Sequence, residues 1–249
     1  PREVGLIGLG AFGELIATHL APHCTLHVHD TRDIARRASE LGAHTATLPH
    51  AASRDIVILA VPVQRLRASL EAITPHLREG ALVLDVASVK AGPAAWMLEL
   101  LPSHARIIAT HPLFGPQSAA AGIAGLPIAV WPVRCEADLF ERFTTFLSGT
   151  LSLRVERVEP MEHDRQMAYV QGLTHLLSRA LGDMALPDSP LATIAYQRLL
   201  AMRANLAHDS EELFLAIQRE NAYAADARAA LHAALARLED SISSTSPRE

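Results

Sequence analysis

The sequence predicts an α/β chain in which a doubly wound parallel sheet is followed by an all-helical region. Three observations predict it. Short apolar runs alternate with helical patterns over residues 1–158, and the first run ends in a glycine-rich turn. Residues 159–249, in contrast, carry long helical patterns with no strand-like stretch between them. The chain is therefore read as two domains, 1–158 and 159–249.

The apolar run at 3–7 leads into Gly8-Leu9-Gly10-Ala11-Phe12-Gly13, and a helical pattern follows to about residue 20. A β-rich run at 25–29 ends at Asp30, 22 residues beyond Gly8, and a helix is expected over 34–41. The alternation continues with strands at 55–60, 81–85 and 106–109 and helices at 64–76 and 93–101. Strand candidates at 127–132 and 153–158 bracket a helix that begins near Glu136, and they are expected to extend the sheet. Helical patterns at 162–184, 191–207 and 210–238 fill the second domain, and the polar stretch 241–249 is expected to fray.

Composition narrows the function. A formal charge of −5 lacks the basic footprint of a nucleic-acid binder. The two cysteines, Cys24 and Cys135, form no CxxC pair and no zinc spacing, which fits a reducing compartment and two small buried side chains. No leader pattern precedes the first strand, and no apolar run approaches the roughly 18 residues of a membrane span, so the expectation is a cytoplasmic protein without a membrane or metal partner.

The glycine turn has a mechanical reading as the fingerprint of a Rossmann dinucleotide site. Gly8 permits the tight turn, Gly10 lets the backbone approach a pyrophosphate, and Gly13 lets the helix pack closely on its strand, with Phe12 in the first turn beside the cofactor. The helix N-terminus presents free N–H groups to the phosphates. Asp30 would accept hydrogen bonds from the adenosine ribose and repel a 2′-phosphate, which favours NAD. Arg32 partly offsets that repulsion and keeps NADP open. Val61 and Pro62, at the end of another strand, would line the nicotinamide side.

His111 stands apart from the other twelve histidines because it follows a strand at the carboxyl edge of the sheet, in Thr110-His111-Pro112-Leu113-Phe114-Gly115-Pro116-Gln117-Ser118. Such a histidine can take a proton from a substrate hydroxyl near neutral pH. Asp85-Val86-Ala87-Ser88-Val89-Lys90 reaches the same edge, where Ser88 hydrogen-bonds either the imidazole or the hydroxyl being oxidised, or caps a helix. In the helical region Gln171, His175 and Arg179 follow at four-residue spacing on one face, which reads as a ligand stripe or as solvated surface.

Taken together, the glycine turn, the Asp85–Lys90 segment, the Thr110–Ser118 loop, Glu162-His163-Asp164-Arg165 and Gln171-Gly172-Leu173-Thr174-His175 resemble the prephenate and arogenate dehydrogenase family, most of all the plant-type arogenate dehydrogenases. The resemblance implies oxidative decarboxylation of a cyclohexadienol to tyrosine or its precursor. It casts His111 as the catalytic histidine and Ser88 as its assistant, and puts Gln117, Ser118, Gln171 and His175 at substrate contacts. Asp209 stands where an acidic residue separates arogenate users from prephenate users, since a carboxylate pairs with the ammonium of arogenate; it would equally suit a helix N-cap. The sequence departs from the family twice. Asp30-Thr31 replaces the serine and arginine that hold a 2′-phosphate in plant-type enzymes. Leu213-Phe214 replaces an arginine that binds the ring carboxylate in bacterial ones, leaving Arg179 or Arg219 for that task.

The expected function is thus NAD-dependent oxidation of arogenate, with prephenate or both substrates as the alternative and a homodimer formed through the C-terminal helices. A hydroxyacid or imine reductase is the enzymatic rival. Lys90 is the only lysine and precedes the helix on which such hydroxyacid enzymes carry their catalytic one. A dinucleotide-sensing module is the rival from outside enzymology.

Overall fold

The computed structural model describes residues 2–205 and 209–244, in two compact units, Pro1–His163 and Asp164–Glu249. In the first unit the strands are β1 (Arg2–Ile7), β2 (Cys24–His29), β3 (His44–Thr45), β4 (Ile56–Leu59), β5 (Leu82–Asp85), β6 (Arg106–Pro112), β7 (Pro127–Arg134) and β8 (Arg154–Arg157). They form one sheet in the order β3-β2-β1-β4-β5-β6-β7-β8. The six N-terminal strands run parallel in the Rossmann order, which reverses direction between β1 and β4 and so opens a crevice outside their carboxyl ends. The expectation of a wholly parallel sheet is corrected at one pair: β7 runs antiparallel to β6, and β8 runs parallel to β7.

Alternation along the central strands explains how both faces are covered. Ile58 and Leu84 belong to the core on one face, while Val57, Leu59 and Val83 belong to the core on the other. The first face packs α1 (Ala11–Leu20) and α6 (Ala137–Thr145), which continues as a π turn at Phe146–Thr150. The second packs α4 (Val63–Ile73), whose Leu66, Leu70 and Ile73 repeat at helical spacing and are fully buried, each contributing about 1.5–3 kcal/mol. α5 (Ala91–Leu100) covers the same face through Met97. An apolar cavity of about 420 Å³ lies against α1 and reaches Phe12 and Phe114. His111, Asp30 and Ser88 are not among its lining residues, whereas Thr110 and Pro112, on either side of His111, are.

Three local features depart from the sequence reading. Residues 44–52, left without structure, form β3 and the short helix α3 (Leu48–Ala52), with α2 (Ala35–Glu40) before them. Strand β6 runs to Pro112, so His111 lies within the strand and pairs with Ala129. Both cysteines are free and half-buried, not fully buried.

The second unit is helical among its described residues. α7 (Pro160–Met167) begins in the first unit and passes into a π-helical turn, Ala168–Leu173, and then α8 (Thr174–Asp183). α9 (Ile194–Asn205) follows; the expected end of that helix at 206–207, and His208, lie outside the described residues. The helix expected over 210–238 is two, α10 (Glu211–Arg219) and α11 (Ala224–Ser244). Asn221 makes the break: its Nδ2 donates to the Asp164 carbonyl at 2.7 Å, and its Oδ1 accepts from the Tyr223 N–H at 2.9 Å. α11 runs through Ser244, past the point where fraying was expected; residues 245–249 lie outside the described residues.

Candidate active site

The carboxyl edge of the sheet gathers most of the residues singled out in the first unit. Gly8 holds a φ of +100° at the end of β1, and a Cβ there would stand 2.5 Å from the Ala60 carbonyl oxygen. A Cβ on Gly13 would stand 2.2 Å from the Gly8 carbonyl oxygen, so helix α1 can pack against the turn only with glycine. Gly10 differs: a Cβ there meets nothing within 4 Å. Gly10 is also the N-cap of α1 and makes no side-chain cap, so the backbone forms an open cradle at a helix N-terminus. That arrangement fits a dinucleotide pyrophosphate. Val61, half-buried, closes on the same turn with its Cγ1 3.2 Å from the Gly8 Cβ position, and Pro62 is exposed as the N-cap of α4.

Asp30, at the end of β2, is tied into the glycine turn. Its Oδ2 accepts from the Leu9 N–H at 2.8 Å, and Arg32 donates from Nε to Oδ1 and from Nη2 to Oδ2, both at 2.9 Å. Arg32 Nη2 also donates to the Leu9 carbonyl at 2.9 Å. Those bonds, the guanidinium first, hold the Asp30 carboxyl far below the usual carboxylate range against the opposing effect of burial, so it stays ionised at any working pH. Phe12 sits 6.3 Å, centroid to centroid, from Phe114 and so joins the glycine helix to the loop after His111.

His111 is 5% exposed on β6. Its Nδ1 lies 2.9 Å from Nε2 of His163, which is itself 2% exposed on α7. Beneath it the Lys90 ammonium is buried against Asp85 and donates to the Thr110 carbonyl at 2.6 Å, while Thr110 Oγ1 donates to the Asp85 carbonyl at 2.5 Å. These bonds lock the end of β5 to the residue before His111. Burial, then His163, then the Lys90 charge hold the imidazole well below its ordinary range, so His111 is neutral at neutral pH. Among the described residues no fully buried side-chain nitrogen or oxygen lacks a partner, so Nε2 of His111, which has none, is open to an incoming group.

The remaining residues have different surroundings. Ser88 is half-buried, makes no hydrogen bond to His111, and does not cap α5, whose N-cap is Lys90. Ser118 turns its hydroxyl inward on its own loop, accepting from the Gly115 N–H at 2.9 Å, and Gln117 is exposed.

In the second unit Gln171 lies within the π-helical turn, while His175 and Arg179 stand four residues apart on α8, so the regular α-helical face holds only the last two. His175 instead pairs with Asp209, Nδ1 to Oδ2 at 3.4 Å; burial lowers its pKa, Asp209 raises it and Arg179 lowers it. Asp209 is not the cap of α10, because the Ser210 hydroxyl accepts from the Leu213 N–H at 3.1 Å. Arg179 is bonded to Glu211 and lies 4.3 Å over the Phe214 ring, whereas Arg219 is exposed.

The family model described as prephenate dehydrogenase, nucleotide-binding domain, matches residues 17–126, and one described as TYRAAT1-like, C-terminal domain, matches residues 180–248. A protein called arogenate dehydrogenase 2, chloroplastic, from Arabidopsis thaliana is 32% identical over 221 residues, 85% of this chain. Over residues 17–126 the chain carries the nucleotide-binding domain of the prephenate dehydrogenase family. A relative called T-protein, from Haemophilus influenzae, is 30% identical over 83% of this chain. The chain spans 62% of the first relative and 53% of the second. The solved prephenate dehydrogenase from A. aeolicus, in complex with hydroxyphenyl propionate and NAD+, superposes with a TM-score of 0.77 over 97% of this chain and 91% of its own. At 20% identity that likeness speaks for the fold.

Sequence reasoning gave no role to Asp85, Lys90 or His163, although all three lie in the motifs that carry the family resemblance. A sole lysine five residues beyond the aspartate that ends a strand was the available signal for Lys90. For His163 there was none, because its partner is 52 residues away.

Proposed function

We propose that the chain catalyses NAD-dependent oxidative decarboxylation of arogenate to tyrosine. The observation that carries the reading is the neutral, buried His111 with its Nε2 open, joined through Phe114 and Phe12 to the glycine cradle. In this reading His111 Nε2 takes the C4 hydroxyl proton: the O–H bond breaks, an N–H bond forms, and C4 becomes a carbonyl carbon as its hydride leaves. The nicotinamide, when bound, supplies the hydride acceptor. The ring carboxylate then departs as carbon dioxide, its bonding electrons complete the aromatic ring, and the C4 oxygen takes the proton back from His111 Nε2 to become the phenol hydroxyl. In this reading Ser88, whose hydroxyl has no partner among the described residues, holds the substrate oxygen.

Gly8, Gly10, Phe12, Gly13, Asp30, Arg32, Val61 and Pro62 form the proposed dinucleotide site. Gln117, Ser118, Gln171, His175, Arg179 and Asp209 form the proposed substrate set. The Asp209 carboxylate, beside His175, suits the ammonium of arogenate and opposes the acidic side chain of prephenate. Arg179 would bind the ring carboxylate by sharing its charge with Glu211. The dimer belongs to the same proposal: α11 leaves Leu235, Leu238 and Ile242 exposed at helical spacing. So does a cytoplasmic site of action, which the free cysteines support. No helix among the described residues is long and apolar enough to cross a membrane.

The test is a matched assay of arogenate and prephenate, each with NAD and NADP, followed by absorbance of the reduced cofactor. Turnover of arogenate far above prephenate, greater with NAD, is the expected result. Preference for prephenate would remove Asp209 from its role, and silence with both would overturn the reading.

A further inference from the structure

A base must present a lone pair, and a neutral imidazole has only one nitrogen that does. Which one is decided by the partner of the other. In His111 the partnered nitrogen is Nδ1, and its partner is Nε2 of His163 at 2.9 Å. Two proton arrangements satisfy that contact. If His163 donated, His111 would carry its proton on Nε2 and could not accept one there. If His111 donates from Nδ1, its Nε2 keeps the lone pair.

We infer that His163 is the positioning residue of the site, accepting the Nδ1–H of His111 and thereby fixing the tautomer whose Nε2 faces the substrate. The inference rests on the reading of His111 as the base. Both rings are buried and meet edge to face, with centroids 5.1 Å apart and planes at 67°, so neither can turn without the other. His163 is itself anchored, its N–H donating to the Glu159 carbonyl at 2.8 Å within the first turn of α7. Asp85, at the end of β5, and Lys90, the N-cap of α5, are paired with each other, and Lys90 also holds the Thr110 carbonyl, whereas the bond to the His111 ring is that of His163.

The same contact acts during the reaction. When the substrate O–H bond breaks and the Nε2–H bond forms, His111 becomes an imidazolium, and its Nδ1–H bond to His163 becomes charge-assisted, about twice as strong as before. The gain arises only as the proton moves, so it lowers the barrier without tightening substrate binding.

The experiment compares wild type with His163→Leu, His163→Gln and His111→Asn, reading kcat, KM and the NAD dissociation constant, together with the 15N spectrum of His111. The expected result is a kcat for His163→Leu lower by on the order of 10- to 100-fold with KM and NAD affinity unchanged. His163→Gln should recover to within a few-fold, since its amide oxygen can accept the same proton. The wild-type spectrum should show a protonated Nδ1 and a bare Nε2 at pH 7. A His163→Leu enzyme with wild-type kcat, a His163→Gln enzyme as slow as His163→Leu, or a protonated Nε2 in wild type would each overturn the inference. Should His163→Leu fail to fold, His163→Gln and the wild-type spectrum decide. Failure of the base reading looks different: His111→Asn would then keep its turnover, whatever the His163 variants do.

Discussion

Arg32 grips both carboxylate oxygens of Asp30 and, through the same guanidinium, the carbonyl of Leu9, so the acidic residue expected to receive the ribose is already charge-balanced. Asp30 is shielded and Arg32 is 62% exposed, so the guanidinium is the part of the pair that can move. Arg32→Ala should therefore raise the preference for NAD over NADP by roughly tenfold, as an uncompensated carboxylate meets the 2′-phosphate. Dissociation constants for both cofactors check this, and an unchanged ratio would contradict it.

The glycines of the turn separate folding from binding. Gly10→Ala places its Cβ in open space, so the variant should fold with an unchanged melting temperature yet bind dinucleotide at least about tenfold more weakly. Gly13→Ala drives its Cβ into the Gly8 carbonyl and should lose the fold of the turn itself. Thermal melts and cofactor titrations of the two proteins read the difference.

His111 sets the acid side of the pH profile. Burial, His163 and Lys90 all disfavour its charged form, so it stays an unprotonated base well below the ordinary imidazole pKa of about 6.5. The acid limb of kcat/KM is expected well below pH 6.5; a limb at 6.5 would contradict the burial argument. For stability the sign follows from the same depression. Above about pH 6.5 neither state holds the proton, and as pH falls from there toward the folded pKa the unfolded chain binds it first, so stability declines across that window.

Lys90 and Asp85 are buried partners, and removing one leaves the other charged and alone. Lys90→Met should destabilise the chain by about 3–5 kcal/mol, far more than loss of an exposed pair such as Arg36–Glu40. Denaturant unfolding of the variant tests it. Turnover should fall with stability, because Lys90 also holds the Thr110 carbonyl next to His111.

In the second unit Ser210, not Asp209, caps α10. Ser210→Ala should cost about 1 kcal/mol in stability, while Asp209→Asn should leave stability nearly unchanged and shift substrate preference. Unfolding curves and the two-substrate assay separate these effects.

What the sequence made legible is what is written locally. The β1–glycine–α1 unit shows because a short apolar run gives way to a helical pattern across three glycines, and the spacing to Asp30 follows from the length of that unit. β3 escaped because a two-residue strand has no period to detect. The break between α10 and α11 escaped because its residues, Glu220 to Tyr223, include neither glycine nor proline, and the turn is made by Asn221 bonding to the distant Asp164. The π turn at Ala168–Leu173 escaped because a single glycine, Gly172, within a helical pattern is no specific sign of a π turn. Likewise His111 was legible from its loop, whereas its bond to His163 exists only once β6 and α7 are brought together.

The most direct test of the central claim is the stoichiometry of a single reaction mixture. With arogenate and NAD, the account predicts one reduced cofactor, one carbon dioxide and one tyrosine formed together, and none of the three with His111→Asn. Reduced cofactor without carbon dioxide or an aromatic product would contradict it and point to simple alcohol oxidation.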